Sequence, residues 1–164
     1  MQIRTGRQED AADLLEIMNY EITHNTATFD LREKSPEEWQ QWMERHGRDN
    51  HPLLVAEEDG RAVGYACLSP YREKEAYYTT VELSIYVHPA YRRRGIARAL
   101  MEAILAAARQ DPITHTVVSV ISGENTASIR LHEQMGFRYS GTLHAVGQKF
   151  GRWLDIVNYE WSAK

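Results

Sequence analysis

Three consecutive arginines precede a glycine in the segment YRRRGIARAL, residues 91–100. A hydrophobic strand pattern lies before this segment and an alanine-rich helical pattern follows it, so a helix begins near Gly95. The first N–H groups of a helix have no partner within it and lie at the positive end of its dipole, which favours anions. Glycine lets a ligand approach the main chain, and arginine makes charge-assisted contacts with phosphate. The segment predicts a polyphosphate site formed by Arg92, Arg93, Arg94, Gly95, Ile96 and Ala97.

A solvated basic turn, with Gly95 serving only for packing, is the alternative interpretation of the same residues. Short basic motifs are common, and the arginine triplet alone does not decide between the two. The chain contains neither the G-x-x-x-x-G-K-[ST] pattern nor the G-x-G-x-x-G pattern, so no other phosphate-binding motif competes with this one. The strand before the segment and the helix after it favour the anion site.

Glu82 is the second residue that could do chemistry, and it lies in the alternating segment TTVELSIYV that leads to the arginines. Val81 and Leu83 form the apolar face of this strand, so Glu82 points to the opposite face. On an edge strand it would be a solvated glutamate, but an unpaired carboxylate in a central, covered strand costs free energy and indicates a function. We therefore predict that Glu82 is a general base, acting directly or through a water.

The composition restricts the classes of function. A chain of 164 residues with 43% hydrophobic and 26% charged residues is long enough for one folded domain, which we place at residues 1–164. The net charge of −4 provides no positive field for nucleic acid. Cys67 is the only cysteine, which excludes an internal disulfide and a thiolate zinc site, and we predict no metal. Without a long apolar run or a signal peptide, we expect no membrane and a cytoplasmic location.

Hydrophobic periodicity predicts the elements that position these residues. The order is β-α-α-β-β-β-α-β-α-β-β, with a hairpin turn at Asp59-Gly60, a helix from Ser35 to Gly47, a helix from Gly95 to Arg109, and last strands over 137–146 and 152–161. An antiparallel beginning is joined to a strand-helix-strand crossover, which requires a mixed sheet covered on both faces. We predict an α/β sandwich with a central mixed, mostly antiparallel sheet.

The run VHPAYRRRGIARAL resembles the acetyl-CoA signature of the GNAT N-acetyltransferase superfamily, [QR]-x-x-G-x-[GA], at Arg92, Gly95 and Ala97. The run NTASIRLHEQMGF, about thirty residues later, resembles that family's second motif. The segments NTATFD, YTTVELSIYVHPAYRRRG, IRLHEQMGF and VGQKFGRWLDI are similar to the phosphinothricin and methionine sulfoximine N-acetyltransferases, and this likeness covers nearly the whole chain.

The resemblance implies a site with acetyl-CoA as co-substrate. Glu82 and His132 would be catalytic, with histidine where many members have the tyrosine that protonates the departing thiolate. Besides the six residues of the arginine segment, the cofactor would contact Ile85, Tyr86, Val87, Asn125 and Ser128. The substrate would contact Phe29, Arg72, Tyr78 and Glu82; many members carry Arg-His where this chain has Tyr78-Thr79, so one carboxylate clamp is missing. Relatives are often dimers, and the apolar last strand is compatible with a homodimer.

Three functions remain open from the sequence. The first is an acetyl-CoA-dependent N-acetyltransferase that acts on the amine of a small amino acid or analogue, such as phosphinothricin or methionine sulfoximine, by direct attack in a ternary complex. The second is an N-acetyltransferase for a protein N-terminus, a polyamine or an antibiotic. The third is a non-catalytic acyl-CoA-binding sensor, against which the intact Glu82 and the intact arginine segment argue.

Overall fold

Strands and helices follow one another in the predicted order in the computed structural model, which describes residues 1–164. The strands are β1 (Gln2–Thr5), β2 (Leu53–Glu58), β3 (Arg61–Pro70), β4 (Thr80–Val87), β5 (Thr116–Ser122), β6 (Arg138–Lys149) and β7 (Arg152–Ser162). The helices are α1 (Ala11–His24), α2 (Pro36–Glu44), α3 (Ile96–Gln110) and α4 (Thr126–Gln134). The predicted fold class, a mixed α/β sandwich, is confirmed.

The seven strands form one sheet in the order β1-β2-β3-β4-β5-β7-β6. Only β4 and β5 are parallel, as the crossover through α3 requires, and all other pairs are antiparallel. The parallel pairing begins at Thr80 and Thr116 and extends no further than Glu82 and Val118. Beyond that point β4 and β5 separate, which opens a cleft in the middle of the sheet.

Two apolar cores cover the two faces of the sheet. One contains Leu100 and Ile104 of α3 packed on Val81 and Leu83 of β4, and the other contains α1 and α2 packed on Tyr65 and Cys67 of β3. Because side chains alternate along a strand, Glu82 points away from the α3 core and towards the side covered by α1 and α2.

Local sequence signals account for most element boundaries. Ser35 accepts a hydrogen bond from the Glu38 N–H and caps α2, and Asn125 caps α4 through the Ser128 N–H. Helix α2 is shorter than predicted: it ends at Glu44, three residues before Gly47, because the chain turns back there with Gly47 at φ 77°. Strand β6 is longer than predicted and continues to Lys149 across two register shifts. None of the helices combines the length and the apolar character needed to cross a membrane.

Candidate active site

A cavity of about 700 Å³ lies where α3 begins, and we call it the large cavity. Its wall combines the end of β4, the start of α3, the start of α4 and the segment that follows α1. The predicted cofactor residues Ile85, Tyr86, Val87, Arg92, Arg93, Gly95, Ile96, Ala97, Asn125 and Ser128 all line it, whereas Arg94 does not. The structure thus brings together both sequence motifs, which lie about thirty residues apart in the chain.

The main chain at the start of α3 has free hydrogen-bond donors. No protein group accepts a hydrogen bond from the backbone N–H groups of residues 93–97, and the first helical hydrogen bond is from Ala99 to the Gly95 carbonyl. Gly95 adopts φ 79°, the left-handed region, and a Cβ built on it would have no atom within 4 Å. Arg93 also has a positive φ, 62°. The amides therefore point into open space, as an anion site at a helix N-terminus requires.

The three predicted arginines have different environments. Arg92 forms an ion pair with Glu21 of α1, a carboxylate only 3% exposed that also accepts a hydrogen bond from Asn25. Arg94 lies 3.6 Å from the Glu58 carboxylate and stacks on the ring of Tyr91. Arg93 has no carboxylate partner. Of the triplet, Arg93 is the one whose charge is not neutralised by the protein.

Two further arginines that sequence reasoning missed also line the large cavity. Arg98 lies three residues after Gly95 and is bonded to Gln134 of α4. Arg152 of β7 is paired with Glu124 at 2.8 and 3.1 Å. Helical spacing from Gly95 could have suggested Arg98, whereas nothing local indicates that Arg152 reaches the same wall.

The separation of β4 from β5 leaves backbone groups of β4 available. His88 donates its N–H to Val63 of β3, and backbone groups alternate in direction along a strand. By that alternation the N–H groups of Ile85 and Val87 point away from β3 into the cleft, while that of Tyr86 points to β3. Two of the three predicted backbone contacts of β4 are therefore oriented towards a ligand.

A second cavity of about 270 Å³, the small cavity, adjoins the first. Glu82 and Phe29 line it, together with hydroxyl groups of Ser84, Ser119 and Ser122. The two cavities share the lining residues Ala27, Ile85, Tyr86, Asn125, Ser128 and His132. The anion site and the candidate base are thus connected through one junction.

Glu82 is half-buried and accepts no hydrogen bond from the protein. Burial disfavours the ionised carboxylate and raises its pKa above the ordinary value of 4.5, and the positive charge of Arg72 partly opposes this. A carboxylate with a raised pKa and free lone pairs can accept a proton from a bound amine.

His132 lines both cavities and is 5% exposed. Its Nδ1 lies 2.7 Å from the Ser128 carbonyl oxygen, which only accepts, so Nδ1 carries a proton. Its Nε2 lies 2.8 Å from the Ser119 hydroxyl. Burial lowers the pKa of His132, which keeps the ring neutral with Nε2 as an acceptor. In this arrangement His132 fixes the Ser119 hydroxyl and has no proton directed at the junction.

The segment after α1, which contains Phe29, is hydrogen-bonded both to the loop between β5 and α4 and to the β6–β7 hairpin. Thr26 donates a hydrogen bond to Glu124 at 2.6 Å, and Arg152 and Thr26 together lower the pKa of that carboxyl to about 2. The buried Lys149 donates to the Thr28 carbonyl at 2.8 Å. These contacts hold the Phe29 ring against the wall of the small cavity.

The other two predicted substrate residues lie outside both cavities. Arg72 is on the surface, with its guanidinium 4.9 Å from the ring centroid of Tyr71, and reaches Glu82 only through its electrostatic field. Tyr78 is half-exposed, and its carbonyl accepts a hydrogen bond from Asn50. No group of three or more His, Cys, Asp or Glu side chains is arranged to hold a metal ion.

The site can be compared with known proteins. The family model for the acetyltransferase (GNAT) family matches residues 16–137. This chain belongs to the GNAT acetyltransferase family. Membership of this family confirms the predicted enzyme class, an acyltransferase.

Relatives and solved structures match the chain over nearly its full length. A phosphinothricin N-acetyltransferase of Streptomyces coelicolor is 39% identical over 163 residues, 98% of this chain and 95% of that protein. An L-methionine sulfoximine/L-methionine sulfone acetyltransferase of Salmonella typhimurium is 37% identical over 157 residues, which is 96% of this chain and 91% of that protein. A phosphinothricin acetyltransferase from Sinorhizobium meliloti, solved in complex with acetyl-CoA, has a TM-score of 0.94 at 30% identity and covers 98% of this chain and 87% of its own.

A ribosomal-protein-alanine N-acetyltransferase from Brucella melitensis is equally similar in structure. It has a TM-score of 0.95 at 38% identity, and the alignment covers 99% of both chains. The names of these similar proteins therefore include both small-molecule and protein acceptors. The acceptor of this chain must be argued from its own cavity.

Proposed function

We propose that this acetyltransferase transfers the acetyl group of acetyl-CoA to the primary amine of a small amino acid or amino-acid analogue, such as methionine sulfoximine or phosphinothricin. The observation that carries the proposal is the junction of the two cavities. The large one ends in unpartnered helix amides, and the small one holds Glu82 and a wall of hydroxyl and apolar groups. A volume of about 270 Å³ suits a small acceptor rather than a folded protein surface.

The residues of the large cavity fit an elongated ligand with a diphosphate. The amides of residues 93–97, the helix dipole and the charge of Arg93 would hold the diphosphate. Asn125 uses its side-chain oxygen to cap α4, which leaves its amide N–H groups free for the same ligand. Acetyl-CoA supplies an acetyl group activated as a thioester.

The residues of the small cavity would prepare the amine. A primary ammonium has a pKa of about 10, so it must lose a proton before it can act as a nucleophile at neutral pH. Glu82 accepts that proton, directly or through a water. The N–H groups of Ile85 and Val87 would orient and polarise the thioester carbonyl. Ser119, whose hydroxyl proton is directed at His132 Nε2, would present its oxygen as an acceptor for an N–H of the substrate.

The wider organisation is also part of the proposal. All seven strands, from Gln2 to Ser162, belong to one sheet, which supports a single acetyltransferase domain over residues 1–164. Exposed apolar side chains on β6, β7 and their connection favour a homodimer through this hairpin; they are Tyr139, Leu143, Val146, Phe150 and Trp153. The buried, unpaired thiol of Cys67 favours the cytoplasm. We infer no nucleic-acid or membrane partner, since the net charge is negative.

Thiol release from acetyl-CoA tests the proposed reaction. L-Methionine sulfoximine, L-methionine sulfone and phosphinothricin are compared with a peptide that has an N-terminal alanine. We expect kcat/KM of about 10⁴ M⁻¹ s⁻¹ or more for at least one amino-acid analogue. Turnover of the peptide alone, or of none of these amines, would reject the proposal.

Light scattering at several protein concentrations measures the oligomeric state and so tests the proposed dimer. Trp153→Lys, in the exposed apolar surface of the hairpin, is the variant to compare with the wild type.

A further inference from the structure

Tyr86 lines both cavities, and its side chain lies on the same face of β4 as that of Glu82. Side chains alternate along a strand, so Glu82, Ser84 and Tyr86 all project to the side covered by α1 and α2. The ring of Tyr86 packs on the buried ring of Tyr65, its direct partner in β3, with centroids 5.6 Å apart. The Tyr86 ring therefore borders the junction on the side from which Glu82 acts.

The hydroxyl group of Tyr86 makes no hydrogen bond within the protein. The neighbouring Tyr65 hydroxyl is also without a partner, but it is completely buried, whereas the Tyr86 hydroxyl keeps accessible surface. Because Tyr86 is only partly buried and lines both cavities, this surface opens into them. The phenolic O–H is thus free to donate a hydrogen bond to a bound molecule.

The other hydroxyl groups of the small cavity already have neighbours within the protein. Ser119 and Ser128 lie beside His132, Thr28 beside Asp30, Ser122 beside Thr26 and Ser84 beside Cys67. The Ser119 proton is directed at His132 and the Thr28 proton at Asp30. Tyr86 is therefore the hydroxyl donor of this cavity that a substrate can use without breaking an existing contact.

The charges around this hydroxyl disfavour an anion. Glu82 is the only charged side chain that lines the small cavity, and the cations Arg72 and Lys149 line neither cavity. Burial raises the pKa of Tyr86, and nearby carboxylates add to this effect; they are Glu21, Asp30 and Glu82. The hydroxyl keeps its proton, and a negative group placed beside it would meet negative charges without a cation to offset them.

We propose that the Tyr86 hydroxyl donates a hydrogen bond to an uncharged oxygen on the acceptor side chain, such as that of a sulfone or sulfoximine, and so selects neutral polar side chains over anionic ones. The inference rests on the proposed acetyl transfer to a small amino acid or analogue. Tyr86 lies four residues from Glu82, about 13 Å along the strand between Cα atoms. An amine held at Glu82 can therefore extend a side chain of the length of methionine towards the Tyr86 ring.

Tyr86→Phe removes only this hydroxyl, and Tyr65→Phe is the matched control because the Tyr65 hydroxyl lines neither cavity. The acceptors are L-methionine sulfone, L-methionine, which lacks the oxygens, and phosphinothricin, whose phosphinate is anionic. One hydrogen bond between neutral groups corresponds to a preference of about tenfold. We expect the wild type to prefer the sulfone over methionine by about that factor in kcat/KM, and over phosphinothricin by about tenfold or more.

Tyr86→Phe should lower kcat/KM for the sulfone about tenfold and leave that for methionine unchanged, which shows that the fold is intact. KM for acetyl-CoA should not change, and Tyr65→Phe should behave as the wild type. The inference is overturned if Tyr86→Phe keeps the preference for the sulfone over methionine within twofold of the wild type. It is also overturned if the variant slows both acceptors equally, because the hydroxyl then acts on the thioester, or if the wild type uses phosphinothricin as well as the sulfone. A wild type that acetylates none of these amines would instead reject the proposed function itself.

Discussion

Replacing Glu82 by glutamine removes the candidate base without changing the shape of the small cavity. The carboxylate accepts no hydrogen bond from the protein, so the substitution breaks no contact. Burial raises the pKa of Glu82, which means that the folded state binds this proton more tightly than the unfolded chain. Its contribution to folding is favourable below the unfolded value and is lost as pH rises through the folded value. At pH 7 the Glu82→Gln variant should therefore be as stable as the wild type or more stable.

The expected kinetic effect is large. A positioned general base contributes about 10²–10⁴-fold, which corresponds to about 2.7–5.4 kcal/mol of barrier at 1.36 kcal/mol per factor of ten. The loss should be greatest between the raised pKa of Glu82 and the pKa of the amine. In that window the wild-type base is ionised and the substrate in water is still protonated. Above the amine pKa the two enzymes should converge.

Thiol release as a function of pH measures this effect. The wild-type kcat/KM should show an acidic limb with a midpoint above 4.5, the ordinary value for glutamate, and the variant should lack that limb. Glu21→Gln is the matched control, because Glu21 is a buried glutamate of the large cavity whose loss should weaken cofactor binding through Arg92. If Glu82→Gln keeps the wild-type pH profile, or raises KM for acetyl-CoA as Glu21→Gln does, Glu82 is not the base.

Three further predictions concern the walls of the two cavities. Gly95→Ala should raise KM for acetyl-CoA in the kinetic assay. It should also lower the free energy of unfolding by about 1–2 kcal/mol in thermal denaturation, because a backbone φ of 79° disfavours any residue with a side chain, even though the space around Gly95 is open. Gly147→Ala should alter KM for the amine but not KM for acetyl-CoA. The new Cβ would lie 2.6 Å from the Phe29 ring and displace the ring. Equal changes in the two KM values would contradict the placement of Phe29 in the small cavity. His132→Gln should reduce kcat by about as much as Ser119→Ala if the role of His132 is to fix the Ser119 hydroxyl. A far larger loss of kcat, with a change in the basic limb of the pH–rate profile, would show instead that His132 is a general acid.

Much of the fold could be predicted because its signals are local. The alternation of Val81, Glu82 and Leu83 gives both the strand and the side of the sheet to which the carboxylate points. The Asp59-Gly60 turn and the Ser35 cap are determined by residues close to them. The start of α3 at Gly95 can be predicted because a strand pattern and a helix pattern meet there.

The environment of the site could not be predicted, because it depends on pairs far apart in the chain. Arg92 is neutralised by Glu21, 71 residues away, so the triplet does not act as a single positive cluster. Thr26 is hydrogen-bonded to Glu124, 98 residues away, in the loop that follows β5. Periodicity gives the face on which a residue lies but not its partner across the sheet.

A crystal structure with acetyl-CoA and L-methionine sulfone would show whether the two cavities together form one acetyl-transfer site. We expect the diphosphate to accept hydrogen bonds from the amides of residues 93–97. We also expect the thioester to lie along β4 at Ile85 and Val87, with the amine within about 3 Å of the Glu82 carboxylate or of a water bound to it. A diphosphate bound elsewhere, or an amine on the other face of the sheet from Glu82, would contradict this expectation.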